Sequence, residues 1–170
     1  GGARPKIMTK IDGEDWIIKF PAHVDGKNAG LMEYRYSQCA KQCGIDMEET
    51  RLFPSDICDG YFGTKRFDRK NGEKLFSQTL AAIMPGADDY MKLCWIAETL
   101  KLPQEDKDQI FIRMVFNYVA GISDDHNKNI SFIMDKAGVW RLSPAYDVMF
   151  TANTWESSSA HMLHKCVKLR

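Results

Sequence analysis

The sequence predicts an α+β fold, with a β-rich first part over residues 1–70 and a mainly helical second part over residues 71–170. Three observations carry that prediction. Residues 7–20 hold two short apolar runs split by Asp12-Gly13. Residues 90–120 hold apolar side chains at helical spacing, and residues 130–142 alternate again around a turn.

Taken in order, residues 7–11 and 16–20 read as the strands of a hairpin, because Asp-Gly supplies the tight turn that paired strands need. In the second strand Trp16, Ile18 and Phe20 share one face, and Ile17 and Lys19 the other. Pro21 stops it. Asn28 is placed to cap a helix that passes Glu33 and Tyr36 and reaches Cys43, with Gly44 as its stop. A further strand-and-loop region, rich in Gly and aromatics, covers residues 59–68. Residues 77–83 and 90–100 read as helices parted by Pro85-Gly86. Pro103 fits the first turn of a helix that continues through Asp108 to Ala120, with Gly121 ending it. There Ile110, Phe111, Met114, Val115, Tyr118 and Val119 form one apolar stripe, and Ile112 and Phe116 a second. Such a helix is predicted to be buried on nearly all sides. Ile130, Phe132 and Met134 then alternate as a strand, residues 135–138 turn, and residues 139–142 return.

Composition removes several classes of function. Lys+Arg and Asp+Glu number 23 each, so no global field draws the chain toward nucleic acid or anionic lipid. No apolar run has the length of a membrane span, and no signal-peptide pattern opens the sequence. The five cysteines are odd in number and lack zinc-site spacing, which predicts reduced thiols in a cytoplasmic protein. The chain opens at Gly1-Gly2 without an initiator Met and ends without a terminal cap, so it is predicted to be incomplete at both ends.

The chemistry concentrates at Asp124-Asp-His-Asn-Lys-Asn129, between an apolar helix and an apolar strand, with a second acid at Asp147. An acid, an amide five residues on and a later acid are a minimum set for phosphoryl transfer. Asp124 is placed to accept the proton of an attacking hydroxyl. Asn129 and Asp147 offer oxygen ligands to Mg²⁺, and Lys128 offers charge to a phosphate. Any one of these residues alone reads more simply as a polar turn. The combination, held between rigid elements, favours the chemical reading. Lys19 on a strand, opposite a helix carrying Glu33, adds the lysine–glutamate pair that positions nucleotide phosphates. Hydrolysis of a phosphate with Mg²⁺ fits the acids but leaves Lys19 and Arg66-Phe67-Asp68 without a role.

With these residues in place, the sequence resembles the HipA-like serine/threonine kinases. Residues 117–132 resemble that family's catalytic loop, and Trp140-Arg-Leu-Ser-Pro-Ala-Tyr-Asp147 its metal-binding segment. Gly2-Ala-Arg-Pro-Lys6 resembles its phosphate loop, residues 17–21 its nucleotide lysine strand, and Arg66-Phe-Asp-Arg69 its hinge. The resemblance implies a protein-kinase-like two-lobe fold, with a small β-rich lobe, a helical lobe and ATP between them. Asp124 would be the catalytic base, and Asn129 and Asp147 would bind Mg²⁺. Gly1, Gly2, Ala3, Arg4, Pro5, Lys6, Lys19, His126, Asn127, Lys128 and Asn129 would surround the phosphates. The main chain around Lys65, Arg66 and Phe67, with Tyr146, would meet the nucleotide. The family typically has Glu where this chain has Lys65. The partners implied are a protein substrate and a DNA-binding antitoxin of the HipB type. The competing expectation is a catalytically silent kinase-like module that works through an antitoxin or another protein.

Overall fold

The computed structural model describes residues 4–70, 72–122 and 125–149. The predicted hairpin is present as β1 (Lys6–Ile11) and β2 (Glu14–Lys19), with Ile11 opposite Glu14. Asp12 and Gly13 both have positive φ, 53° and 81°, the turn whose twist matches paired strands. After α1 (Ala29–Gln42) come β3 (Thr50–Phe53) and β4 (Tyr61–Lys65), and the antiparallel sheet runs in the order β1-β2-β4-β3.

Alternation along β2 divides its side chains as the sequence predicts. Trp16 is 1% exposed, lies edge-on to Phe53 and carries the Arg51 guanidinium 4.7 Å over its ring. On the opposite face, Ile17 pairs across the sheet with Thr64, and Lys19 with Phe62. That face receives α1, which buries Ala29, Glu33, Ser37 and Ala40, a single stripe at helical spacing. The Ser37 and Thr50 hydroxyls bond at 2.8 Å and tie the helix to β3.

The end of α1 follows the expected stop. Gly44, at φ 83°, donates its amide to the Lys41 carbonyl, and Ile45 donates to Ala40, the paired bonds of a left-handed cap. At the other end Asn28 precedes the helix but its side chain makes no capping bond. Packing holds this end. A methyl group at Gly30 would lie 2.2 Å from the Gly60 carbonyl oxygen, so α1 sits as close to the sheet as glycine allows. Gly30→Ala is therefore expected to push the helix outward and to destabilise the fold by about 1–3 kcal/mol, the scale of overpacking. An unchanged denaturation midpoint would refute that close approach.

The second part follows β5 (Arg69–Lys70) and β6 (Glu73–Lys74), a small hairpin. It comprises β7 (Phe76–Thr79), α2 (Leu80–Ile83), α3 (Tyr90–Thr99), α4 (Gln104–Val119), β8 (Ser131–Met134) and β9 (Trp140–Leu142). Here two expectations are corrected. Residues 77–83 are not one helix. Phe76 to Thr79 pair with β8, and Thr79 then caps the single turn of α2 by accepting the Ala82 amide at 3.2 Å. A distant partner strand overrides local propensity. Nor is α4 buried on all sides. It buries Asp106, Ile110 and Phe116, whereas Phe111 and Val119 are 61% and 78% exposed, with Val115 and Tyr118 on the same open face. Among the described residues, Ile110 of α4 packs with α3 and the sheet, and Phe116 with the end of α1.

One core joins Leu80, Leu93, Ile96, Ile110, Phe132 and Leu142 within the second part. A smaller one joins the two parts through Ala40, Ile45, Phe116, Ile122, Ala145 and Val148. Polar contacts reinforce that junction. Gln109 on α4 accepts the Asp46 amide at 2.8 Å and donates to the Gly44 carbonyl at 2.9 Å. The Ala145 amide donates to Asp46, and Met47 bridges to Ala145 in parallel. The segment leading to Asp147 is thus pinned to the loop that follows α1. Among the described residues, no helix is long and apolar enough to cross a membrane.

Candidate active site

A cleft of about 290 Å³ opens between the first sheet with α1 and the segment that carries Asp147. The β1–β2 hairpin builds its floor. Met8 lies opposite Ile17 and Lys6 opposite Lys19, so the floor changes from apolar to basic along the strands. Phe67 and Tyr146 stack at the far side, with centroids 5.4 Å apart and planes at 23°. The Tyr146 hydroxyl donates to the Lys128 carbonyl at 2.9 Å and shares a 2.6 Å bond with Ser131, and burial pushes its pKa up to about 12.

At the basic end the charges form a chain. Lys19 Nζ lies 2.6 Å from Glu33 Oε1 and also pairs directly with Asp147. Burial disfavours the Lys19 ammonium, yet Glu33 and Asp147 outweigh it and hold the pKa above the usual lysine value. Burial likewise works against the Asp147 carboxylate, and Lys19 reverses this, leaving Asp147 below the usual range. For Glu33 burial wins over Lys19, and its carboxyl is raised. Arg4 extends the chain, with Nε 2.8 Å from Asp25 and Nη1 3.5 Å from Glu33. Asp147 itself adopts φ 54°, a left-handed conformation that Asp tolerates better than most side chains.

The structure gathers Lys6, Lys19, Lys65, Arg66, Phe67, Lys128, Tyr146 and Asp147 on the cleft wall. Asn129 meets Asp147 in a smaller adjoining cavity. Other expected residues take different places. Arg4 is held by carboxylates, and Pro5 offers its carbonyl to the Phe20 amide. His126 and Asn127 are not on the cleft wall. His126 Nδ1 accepts the Lys128 amide at 3.3 Å, while Asn127 donates its side-chain amide to the Ala87 carbonyl at 2.7 Å and accepts the Ala81 amide on its own carbonyl. Both brace the loop. The Lys65 and Arg66 amides are committed to the Glu49 and Asp15 carbonyls, and Phe67 lines the cleft beside them. Gly1, Gly2, Ala3 and Asp124 lie outside the described residues. The neighbouring Asp125 is buried and accepts a 2.6 Å bond from the Tyr90 hydroxyl, anchoring the loop beneath α3.

Met8, Phe62, Met47 and Ser37 also line the cleft and were missed from sequence. For Met8 the alternation around Lys6 was the available signal. The donors suit a hard cation. Asn129 and Asp147, an amide and a carboxylate residue, both line one cavity, and Mg²⁺ is commonly held by one or two carboxylates plus substrate phosphates. Among the described residues, no three His, Cys, Asp or Glu side chains converge as an all-protein metal cage.

The model of the HipA-like C-terminal domain family matches residues 1–168. The chain is 27% identical over 164 residues to the putative kinase Y4dM of Sinorhizobium fredii (strain NBRC 101917 / NGR234), covering 85% of this chain and 39% of that protein. It thus spans about two-fifths of the length of that curated relative. The structure resembles HipA from the complex of Shewanella oneidensis MR-1 HipA, HipB and operator DNA, with TM-score 0.66, 20% identity and coverage of 88% of this chain and 43% of that one. It also resembles the Helicobacter pylori proinflammatory kinase CtkA, with TM-score 0.64, 17% identity and coverage of 84% and 54%. These likenesses show the α+β, kinase-like fold that the sequence predicts.

Proposed function

The chain belongs to the HipA-like C-terminal domain family, and we propose that it carries the nucleotide-binding and phosphoryl-transfer machinery of a cytoplasmic serine/threonine protein kinase. The observation that carries this reading is Lys19, which bridges Glu33 on α1 and Asp147 at the basic end of an apolar-floored cleft. Such a pair fixes a cation where nucleotide phosphates enter and leaves the apolar end for the base.

In this reading Met8, Ile17, Phe67 and Tyr146 enclose the adenine of ATP, and Lys6, Lys19 and Lys128 face its phosphates. Asn129 and Asp147 would hold Mg²⁺, which supplies neutralising charge to the phosphate oxygens when bound. Asp124 orients a protein hydroxyl and takes its proton. The hydroxyl oxygen then bonds to the γ-phosphorus as the bond to the β-phosphate oxygen breaks. Tyr90 holds Asp125, and Asn127 ties the loop that leads to Asn129 to the Ala87 carbonyl. For the whole protein we extend the proposal to a DNA-binding antitoxin partner, on the likeness to a HipA solved with HipB and operator DNA.

Calorimetry of ATP binding to the natural full-length protein, with and without Mg²⁺, tests the reading. Binding is expected to depend on Mg²⁺, and transfer to a seryl or threonyl hydroxyl to follow it. Asp147→Asn is expected to weaken Mg²⁺-dependent affinity by at least about tenfold, since changes at the partners of metal ligands alone reach about 10–100-fold. It should exceed the effect of Asp124→Asn on the same affinity. The reverse ranking would exchange their roles. ATP binding without any transfer would point instead to a silent module acting through its partner.

A further inference from the structure

Behind the cleft lies a cavity of about 40 Å³ whose wall includes Tyr90, Arg113, Asn117, Asp125, Asn129 and Asp147. Arg113 comes from α4, among neighbours that are otherwise largely apolar. Its Nη2 donates to the Ser143 carbonyl at 2.8 Å, at the start of the segment that ends in Asp147. Its Nε is shut off from solvent and has no hydrogen-bond partner among the described residues. Burial lowers its pKa to about 10, with Asp46 and Asp106 resisting, so the guanidinium stays charged at neutral pH.

A buried N–H without a partner is costly unless water meets it. This cavity exceeds the roughly 10–15 Å³ that a water needs, and it offers several polar partners. Two carboxylates, Asp125 and Asp147, face the same space and disfavour an anion. We propose that Arg113 is a positioning residue for the acid–amide pair. Through the Ser143 carbonyl and through ordered water in the cavity, it sets the placement of Asp147 relative to Asn129. The planar fork suits this task because its donors are held in fixed relation to one another, one on the Ser143 carbonyl and Nε left for a water. The inference rests on the phosphoryl-transfer reading above.

The test is Mn²⁺ binding, read by electron paramagnetic resonance, to the natural full-length protein with a non-hydrolysable ATP analogue. Arg113→Met is expected to weaken Mn²⁺ affinity by about tenfold or more, the scale seen when partners of metal ligands are removed. It should also raise the Mg²⁺ needed for half-maximal turnover. Metal-free nucleotide affinity should stay near the wild-type value. Arg113→Lys keeps the charge but loses the fork, and should recover part of the Mn²⁺ affinity. It also carries the test if the Met variant fails to fold. Unchanged Mn²⁺ affinity in a folded variant overturns the inference and leaves the kinase reading intact. Equal losses of metal-free and metal-dependent affinity overturn it too, because they indicate general damage. A wild type that binds no Mn²⁺ with nucleotide overturns both.

Discussion

Asp124→Asn is expected to abolish phosphoryl transfer while nucleotide affinity stays close to wild type. The amide keeps the shape of the side chain and removes its capacity to take a proton. Loss of a general base typically costs about 10²–10⁴ in rate. Among the described residues nearby, Asp125 is bonded to Tyr90 and the Ile122 amide donates to the Asn117 carbonyl. The substitution should therefore leave the loop in place. Comparing ATP affinity with phosphate transfer in the natural full-length protein checks this, and unimpaired turnover would remove Asp124 from the role of base.

Lys19→Met is expected to damage both stability and binding. Glu33 is 3% exposed, and removing its cation leaves a buried carboxylate beside Asp147. Breaking a buried pair costs about 3–5 kcal/mol. The lower end applies here, because Arg4 remains 3.5 Å from Glu33 and burial already favours its neutral form. The pH dependence has a definite sign. Without Lys19 both carboxyls bind protons more tightly in the folded state than in the unfolded one, so folding stability falls as pH rises through their raised values. The difference from wild type should thus be small in mild acid and grow toward neutrality, as read by denaturation midpoints. Wild-type stability at neutral pH, together with unchanged ATP affinity, would exclude Lys19 from both roles.

Much of the frame was legible because turn chemistry and side-chain period are local properties. Asp12-Gly13 marked the first turn, Gly44 the end of α1, and the alternation around Lys19 the face that meets that helix. By contrast β3 was overlooked. Its four residues carry no pattern of their own, and it exists through pairing with β4 and the bond from Ser37 to Thr50. The strand β7 was read as helix for the same reason. The open face of α4 was misjudged because periodicity reports which residues are apolar, not how many neighbours arrive to cover them.

At the site the division is sharper. The sequence by itself determined which reactive residue types are present and in what order, because an acid–amide–acid series and a strand lysine are properties of chain order. It also placed Glu33 on the helix face that meets Lys19. The tertiary structure alone decided that Lys19 and Asp147, separated by 128 positions, share one ion pair. It turned Asn127 away to brace Ala87, gave Arg4 to Asp25, and put Arg113 on the wall of the cavity that Asn129 and Asp147 also line. Those outcomes depend on which buried charges and amides find partners when separate segments are brought together.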